Sequence, residues 1–376
     1  MRKAMLALAA VGLLAAGSMT ACTKDEGSNG SSGTSGNNGS GSGPGKVGVI
    51  LPDTETSARW KNDDPKYLEA RFKTAGVPVD IKNAEGDKAR FVAMGEQMIR
   101  EGAKVLIIAN LDSPSGKAVI DKAKAAKVKT IDYDRLTLNG AADYYVSFDG
   151  VEVGRQQGRE LVKCLADQKA VNPVVAEVNG SPTDNNATLF KQGYDSILQP
   201  LYDEAKYTKG PDQSVPDWVN SEGGKIFEQM WSQQPRIRGV LVANDGMAGA
   251  VIDVLKKKKM NGKIPVTGQD ATLEGLQNIL TGDQCMTVYK ANRLEANAAA
   301  NAAIALYKGQ VVDKESVGED IGQLKDPESG AYIAFVNLAP KAITKANIQD
   351  VITDGFISKK ELCAGKFAQL CEDNGL

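Results

Sequence analysis

The chain reads as an α/β protein built from two doubly wound parallel-sheet lobes. Three observations predict this. Short apolar runs alternate with helical patterns from Lys46 onward. Runs such as Val105-Leu106-Ile107-Ile108 have the unbroken hydrophobicity of strands buried on both faces. The stretch from Lys46 to Leu376 is too long for one core, and the alternation starts afresh after about residue 165.

The first lobe opens with a strand at 47–51, ended by Pro52. A helix is expected from about Pro65 to Ala75, then a strand over 77–81. Phe91, Met94, Met98 and Ile99 mark the buried face of the next helix. The strand at 105–108, a helix over 116–126 and a strand over 128–133 follow. Residues 149–165 form a helix leading into the second lobe. There, strands near 174–178, 239–243 and 265–268 alternate with helices near 187–198, 225–232 and 247–258.

Residues 266–290 form a strand–helix–strand unit. Leu273, Leu276, Ile279 and Leu280 share one helix face, Gly282-Asp283 breaks it, and Met286, Val288 and Tyr289 alternate up to Lys290. Its two strands are expected to lie parallel, which brings Asp270 and Lys290 together at their carboxyl ends. Open parallel sheets bind small ligands there. Taken alone, Asp270 has a plainer role, capping the helix that begins near Thr272. An Ala-rich helix over 294–307 and another near Ala346 end the pattern.

The chain starts Met1-Arg2-Lys3, continues with an apolar run over 4–16 and reaches Gly17-Ser18-Met19-Thr20-Ala21-Cys22. That is the pattern of a secretory signal over 1–21. The cysteine after small residues resembles the lipobox of bacterial lipoproteins, with Met19 in place of the more usual Leu. The resemblance implies cleavage before Cys22 and a lipid on its sulfur, so the chain is expected outside the cytoplasmic membrane and held to it. A tether over 22–45, dominated by Gly and Ser, follows. The chain has 45 basic and 47 acidic residues, and no histidine. Without Arg2 and Lys3 the balance is 43 against 47, too mild and too even for a nucleic-acid partner. The run 256–259 of four lysines suits a solvated helix end. Four cysteines remain after Cys22, which in an exported chain favours disulfides with three possible connectivities. A short terminal loop favours Cys363–Cys371, leaving Cys164–Cys285. No CxxC spacing occurs, so structural zinc is not expected.

The residues just beyond the apolar runs share one chemistry. Arg59-Trp60 follow the first strand and Asp134-Arg135 the fourth. In the second half come Asp184-Asn185-Asn186, Asn244-Asp245, Gln269-Asp270 and Lys290, with Trp218 in a loop. Singly, most would cap helices or pair with surface charges. Together they suit a sugar, whose hydroxyls both donate and accept. Arg can bridge neighbouring oxygens. Trp60 and Trp218 could sandwich the apolar faces of a pyranose, with Asp134, Arg135, Asn186, Asn244, Asp270 and Lys290 around its edge. The even balance of acids and bases favours a neutral polyol over a phosphate. Cationic neighbours should lower the pKa of both Asp134 and Asp270, the reverse of what a glycosidase acid needs. Without histidine there is no Ser-His-Asp triad, and the chain carries neither a P-loop nor a GxGxxG after a strand.

The segments 57–60 (SARW), 133–135 (YDR), 144–154 (YYVSFDGVEVG), 180–190 (GSPTDNNATLF), 243–245 (AND), 268–271 (GQDA) and 286–290 (MTVYK) resemble the type I sugar-binding proteins of bacterial ABC transporters, the xylose- and aldose-binding group above all. The resemblance runs in order from Lys46 to about Phe356. It implies the type I periplasmic binding protein fold, with three hinge crossings and closure on the ligand. One lobe would comprise 46–148 with 291–328, the other 149–290 with 329–356, and 357–376 would be a tail. It implies sugar contacts at Arg59, Asp134, Arg135, Asn186, Trp218, Asn244, Asp270 and Lys290, with Trp60 stacking on the ring. The expected partners are a monosaccharide and ABC permease subunits, for a monomer that needs no metal or cofactor. Other readings are a nucleoside or furanose ligand, or a glycoside-acting enzyme. A sugar-responsive transcription regulator would need a helix-turn-helix where the signal and tether stand.

Overall fold

The computed structural model describes residues 45–376. The signal, Cys22 and most of the tether expected from the sequence lie outside them. The chain runs β1 (Lys46–Leu51), α1 (Arg59–Ala75), β2 (Val79–Asn83), α2 (Lys88–Arg100), β3 (Ala103–Ile108), α3 (Ser113–Ala125), β4 (Lys129–Tyr133) and β5 (Tyr144–Phe148). It goes on through α4 (Gly150–Asp167), β6 (Val174–Asn179), α5 (Asn185–Asp203), β7 (Thr208–Ser214), α6 (Asn220–Gln233), β8 (Ile237–Val242), α7 (Asp245–Lys257), α8 (Leu273–Thr281) and β9 (Thr287–Tyr289). It ends with α9 (Asn292–Tyr307), α10 (Lys314–Val317), β10 (Ile321–Lys325), β11 (Tyr332–Leu338), β12 (Lys341–Ile343), α11 (Gln349–Thr353), α12 (Lys359–Leu362) and α13 (Ala368–Asp373).

The first sheet has seven strands in the order β10-β11-β5-β4-β3-β1-β2, all parallel except β10. The strand period of two divides its apolar residues between two cores. Val47, Val49, Leu51, Val105 and Ile107 meet Leu68 and Phe72 of α1 and the alanines of α9. Ile50, Leu106 and Ile108 meet Phe91 and Met98 of α2 and Val119 and Ile120 of α3. Helices on both faces explain why these strands are apolar throughout.

The second sheet joins β7, β6 and β8 in parallel, with a further parallel bridge from Val240 to Val266. The segment 285–288 lies beside 266–270 through Cys285 N–H to Val266 O (2.8 Å), Val288 N–H to Gly268 O (3.2 Å) and Asp270 N–H to Val288 O (2.8 Å). These bonds follow the parallel pattern, but the regular ladder of β9 is antiparallel, with β12. Helices α4 and α5 pack closely, because a Cβ on Gly154 would stand 1.9 Å from the Phe190 carbonyl oxygen. Cys164 is bonded to Cys285 and Cys363 to Cys371, with Cα–Cα separations of 6.4 and 5.8 Å.

The chain passes between the lobes at 148–150, 289–292 and 338–341. Two crossings touch, with Asp149 N–H donating to Leu338 O at 3.0 Å.

Four expectations need correction. Residues 329–338 belong with the first sheet, because β11 pairs with β5, so the last crossing comes ten residues later than the expected boundary at 328/329. The tail at 357–376 is no separate segment: Leu362 and Cys371 pack against Leu276, Ile279 and Leu280 of α8. Helix α1 starts at Arg59 and contains Pro65, its first turn held by Arg59 bonding to Asp64. The helix expected near Ala346 starts at Gln349.

Candidate functional site

The carboxyl ends of both sheets face each other across a small polar-lined cavity. All nine predicted binding residues line it: Arg59, Trp60, Asp134, Arg135, Asn186, Trp218, Asn244, Asp270 and Lys290.

Helix starts place several of them. Arg59 and Trp60 open α1, and Asn186 lies in the first turn of α5, whose N-cap is Asp184. Asn244, not Asp245, caps α7 by accepting from Met247 N–H (2.9 Å), which leaves its amide N–H groups unused by the helix. Thr272, not Asp270, caps α8, so Asp270 is free for another role.

Asp134, Trp218 and Asp270 all have positive φ, at 61°, 59° and 102°. Each such conformation costs about 1–3 kcal/mol and persists only where surroundings impose it. Around Asp134 they do: its backbone oxygen accepts from Tyr145 Oη, Ser147 Oγ and Asn186 Nδ2, each at 2.9 Å.

Asp134 is the electrostatic centre. Its Oδ2 accepts from Arg59 Nη1 at 2.9 Å and Lys290 Nζ at 3.0 Å, and its Oδ1 from Asn186 Nδ2 at 3.2 Å. Burial works to raise its pKa, but Lys290, Arg59 and Arg135 outweigh it and hold the carboxyl well below the usual range. The expectation for Asp270 was wrong in sign. Burial raises it, and Lys290 (3.9 Å away) and Arg59 only partly offset the effect. Burial alone would lower Lys290, yet Asp134 and Asp270 raise it.

Arg135 pairs across the cleft with Asp184 at 3.1 Å, and Asp184 Oδ2 also accepts from Trp218 Nε1 at 3.1 Å. Trp218 lies against Gly180, where a Cβ would stand 2.0 Å from its Cη2. The Arg59 guanidinium stacks on Trp60 at 4.3 Å. Among the described residues no acid, Cys or His cluster suits a metal.

Sequence reasoning named Asp184 and Gln269 without assigning them to the site, and did not name Thr56 or assign Phe190; all four line the cavity. It also missed the layer behind. Asp64, Tyr133 and Glu295 surround Arg59, at 2.8, 3.2 and 2.5 Å from its Nη2. Asp64 and Glu295 lie inside helices with nothing in their local pattern to mark them. Buried acids become meaningful only once Arg59 is placed beside them.

Residues 47–310 match the family model described as a periplasmic binding protein domain. The D-xylose-binding periplasmic protein of Escherichia coli (strain K12) is 33% identical over 319 residues, 84% of this chain and 92% of that protein. A multiple sugar-binding periplasmic receptor of Rhizobium radiobacter is 30% identical over 327 residues, 83% of this chain and 90% of its own. Among solved structures, a carbohydrate transporter solute-binding protein from Chloroflexus aurantiacus, in complex with D-glucose, superposes with a TM-score of 0.75 at 27% identity, covering 84% of this chain and 97% of that one. These relatives bind solutes and are not enzymes. The chain belongs to the periplasmic binding protein family, has its type I fold, and is a binding protein rather than an enzyme.

Proposed function

We propose that the protein is an extracytoplasmic receptor for a monosaccharide, an aldose of the xylose or glucose kind, which it delivers to the permease of an ABC importer. The observation that carries this reading is the composition of the cleft. Arg59, Trp60, Asp134 and Arg135 come from one lobe, Asn186, Trp218, Asn244 and Asp270 from the other, and Lys290 from a crossing between them. Fixed carboxylates, amides and cations flanked by two indoles match a ring of hydroxyls with apolar faces. The protein's relatives, a D-xylose-binding protein and a multiple sugar-binding receptor, support it. Only the closed form presents both lobes' groups at once, so the ligand stabilises closure by its differential affinity. The lobes would be 45–148 with 292–338, and 150–289 with 341–376.

We further infer that the chain is held outside the membrane by lipid on Cys22 and acts as a monomer. Replacing Cys22 with Ala should release it from the membrane fraction.

A thermal-shift panel of aldoses, nucleosides and amino acids tests the ligand class. Ligand at a hundredfold its Kd stabilises by about 2.7 kcal/mol. One or more aldopyranoses should raise the melting temperature. A response confined to nucleosides or amino acids would overturn the reading.

A further inference from the structure

We propose that Glu295 is a positioning residue for this site: held as a neutral acid beneath Arg59 it permits closure over the ligand, and its ionisation opposes closure. The proposal rests on the sugar-binding reading above.

Glu295 stands in the first turn of α9, just past the crossing at 289–292, and is wholly buried. Its Oε2 accepts from Arg59 Nη2 at 2.5 Å, while Oε1 has no partner. Arg59 also donates through Nε and Nη2 to Asp64 (2.9 and 2.8 Å) and through Nη1 to Asp134 (2.9 Å). A guanidinium has five N–H groups. Asp64, Glu295 and Tyr133 take those on Nε and Nη2, and Asp134 takes one on Nη1. One Nη1 hydrogen remains for a ligand, its direction set by the acids behind.

The local charge does not balance. The groups facing Glu295 are Arg59 and Asp64 from α1, Tyr133 and Asp134 at the end of β4, and Lys290 after β9. With Asp270, four carboxylates share two cations, because Arg135 is already matched to Asp184. Full ionisation would bury two uncompensated negative charges, which is costly away from water. Glu295 is the acid with an unpartnered oxygen and with a cation it shares with two other acids. Burial pushes it up to about 8, against the pull of Arg59.

The test is calorimetric titration of the best aldose from pH 6 to 9, for the parent and for Glu295→Gln. Glutamine keeps an oxygen on Arg59 and cannot ionise. The parent's affinity should fall several-fold as pH rises toward about 8 and then level off. The variant should still bind at pH 6, whatever its affinity there, and show a shallower fall from that value. Asp184, Asp245 and Asp270 are present in both proteins, so the difference between profiles isolates Glu295.

Melting without sugar gives an independent readout. A glutamate near 4.3 when unfolded and about 8 when folded supports folding below the lower value, and that support is lost as pH rises through the upper one. Glu295→Gln should therefore melt higher than the parent at pH 8, and close to it at pH 5. Glu295→Met, also unable to ionise, serves if the amide prevents folding. A flat parent profile, or equal pH dependence in parent and variants in both readouts, overturns the proposal. If no sugar binds either protein, the sugar reading fails, and the melting comparison still decides the proton on Glu295.

Discussion

Asp134→Asn tests the centre of the site most sharply. Asparagine tolerates a φ of 61° about as well as aspartate, so the backbone is left alone, which alanine would not guarantee. What changes is charge. Two bonds at Oδ2, from Arg59 (2.9 Å) and Lys290 (3.0 Å), go from a carboxylate to an amide oxygen. Both donors stay cationic, so the bonds survive as charge-assisted ones and what is lost is the ion pairing. Removing one partner of a buried pair costs about 3–5 kcal/mol, and the retained bonds bring this to about 2–3 kcal/mol. The burden falls on Lys290. Arg59 keeps Asp64 and Glu295, whereas the next carboxylate to Lys290 is Asp270 at 3.9 Å. The amide nitrogen would also oppose Asn186 Nδ2, now 3.2 Å from Oδ1, so the contact between lobes loosens. A ligand hydroxyl that donates to this carboxylate weakens by a similar step, and the affinity should drop about ten- to a hundredfold, each tenfold being about 1.4 kcal/mol. Calorimetry with the best aldose and melting without it measure the two parts. An affinity within threefold of the parent, with an unchanged melting temperature, would refute this account of Asp134.

Three further outcomes are expected. Gly180→Ala should displace the Trp218 ring, whose Cη2 would lie 2.0 Å from the new methyl, and weaken binding at least tenfold; tryptophan fluorescence and titration check this. Removing Cys164–Cys285, with a sequence separation of 121, should lower the melting temperature more than removing Cys363–Cys371, with a separation of 8, because a longer loop loses more entropy when closed. Burial raises Asp132 and Asp245 to about 7 and Glu295 to about 8. Unfolded carboxyls titrate near 4, so stability from these groups is lost as pH rises from about 4 to 8. Asp134 and Asp212 (about 2) are depressed, so their contribution is lost as pH falls below about 4. Melting should be higher at pH 5 than at pH 8, and a temperature that rises over this interval would contradict the assignment.

Much of the site was legible because its residues stand next to apolar runs. Asn244, Asp270 and Lys290 each follow a recognisable run, and the topology of parallel sheets brings such positions to one edge. Strand β7, TKGPDQS, was not legible: it is a mostly exposed edge with no apolar alternation, and pairing with β6 alone makes it a strand. Strands β10 and β11 were missed for a related reason, since their place is decided by β5, far earlier in the chain. Cys164 and Cys285 come from helix α4 and the approach to β9, a proximity that follows from packing.

By itself the sequence determined the two-lobed α/β plan, because apolar periodicity and chain length leave few other ways to bury those residues. It also determined the chemical character of the cleft, since strand ends in such sheets converge. Only the tertiary structure decided how far burial and neighbouring cations set the buried carboxylates against each other. That depends on how many acids share each cation and how deeply they are buried, and Asp64, Asp134, Asp270 and Glu295 meet around Arg59 and Lys290 only when helices from distant parts of the chain pack together.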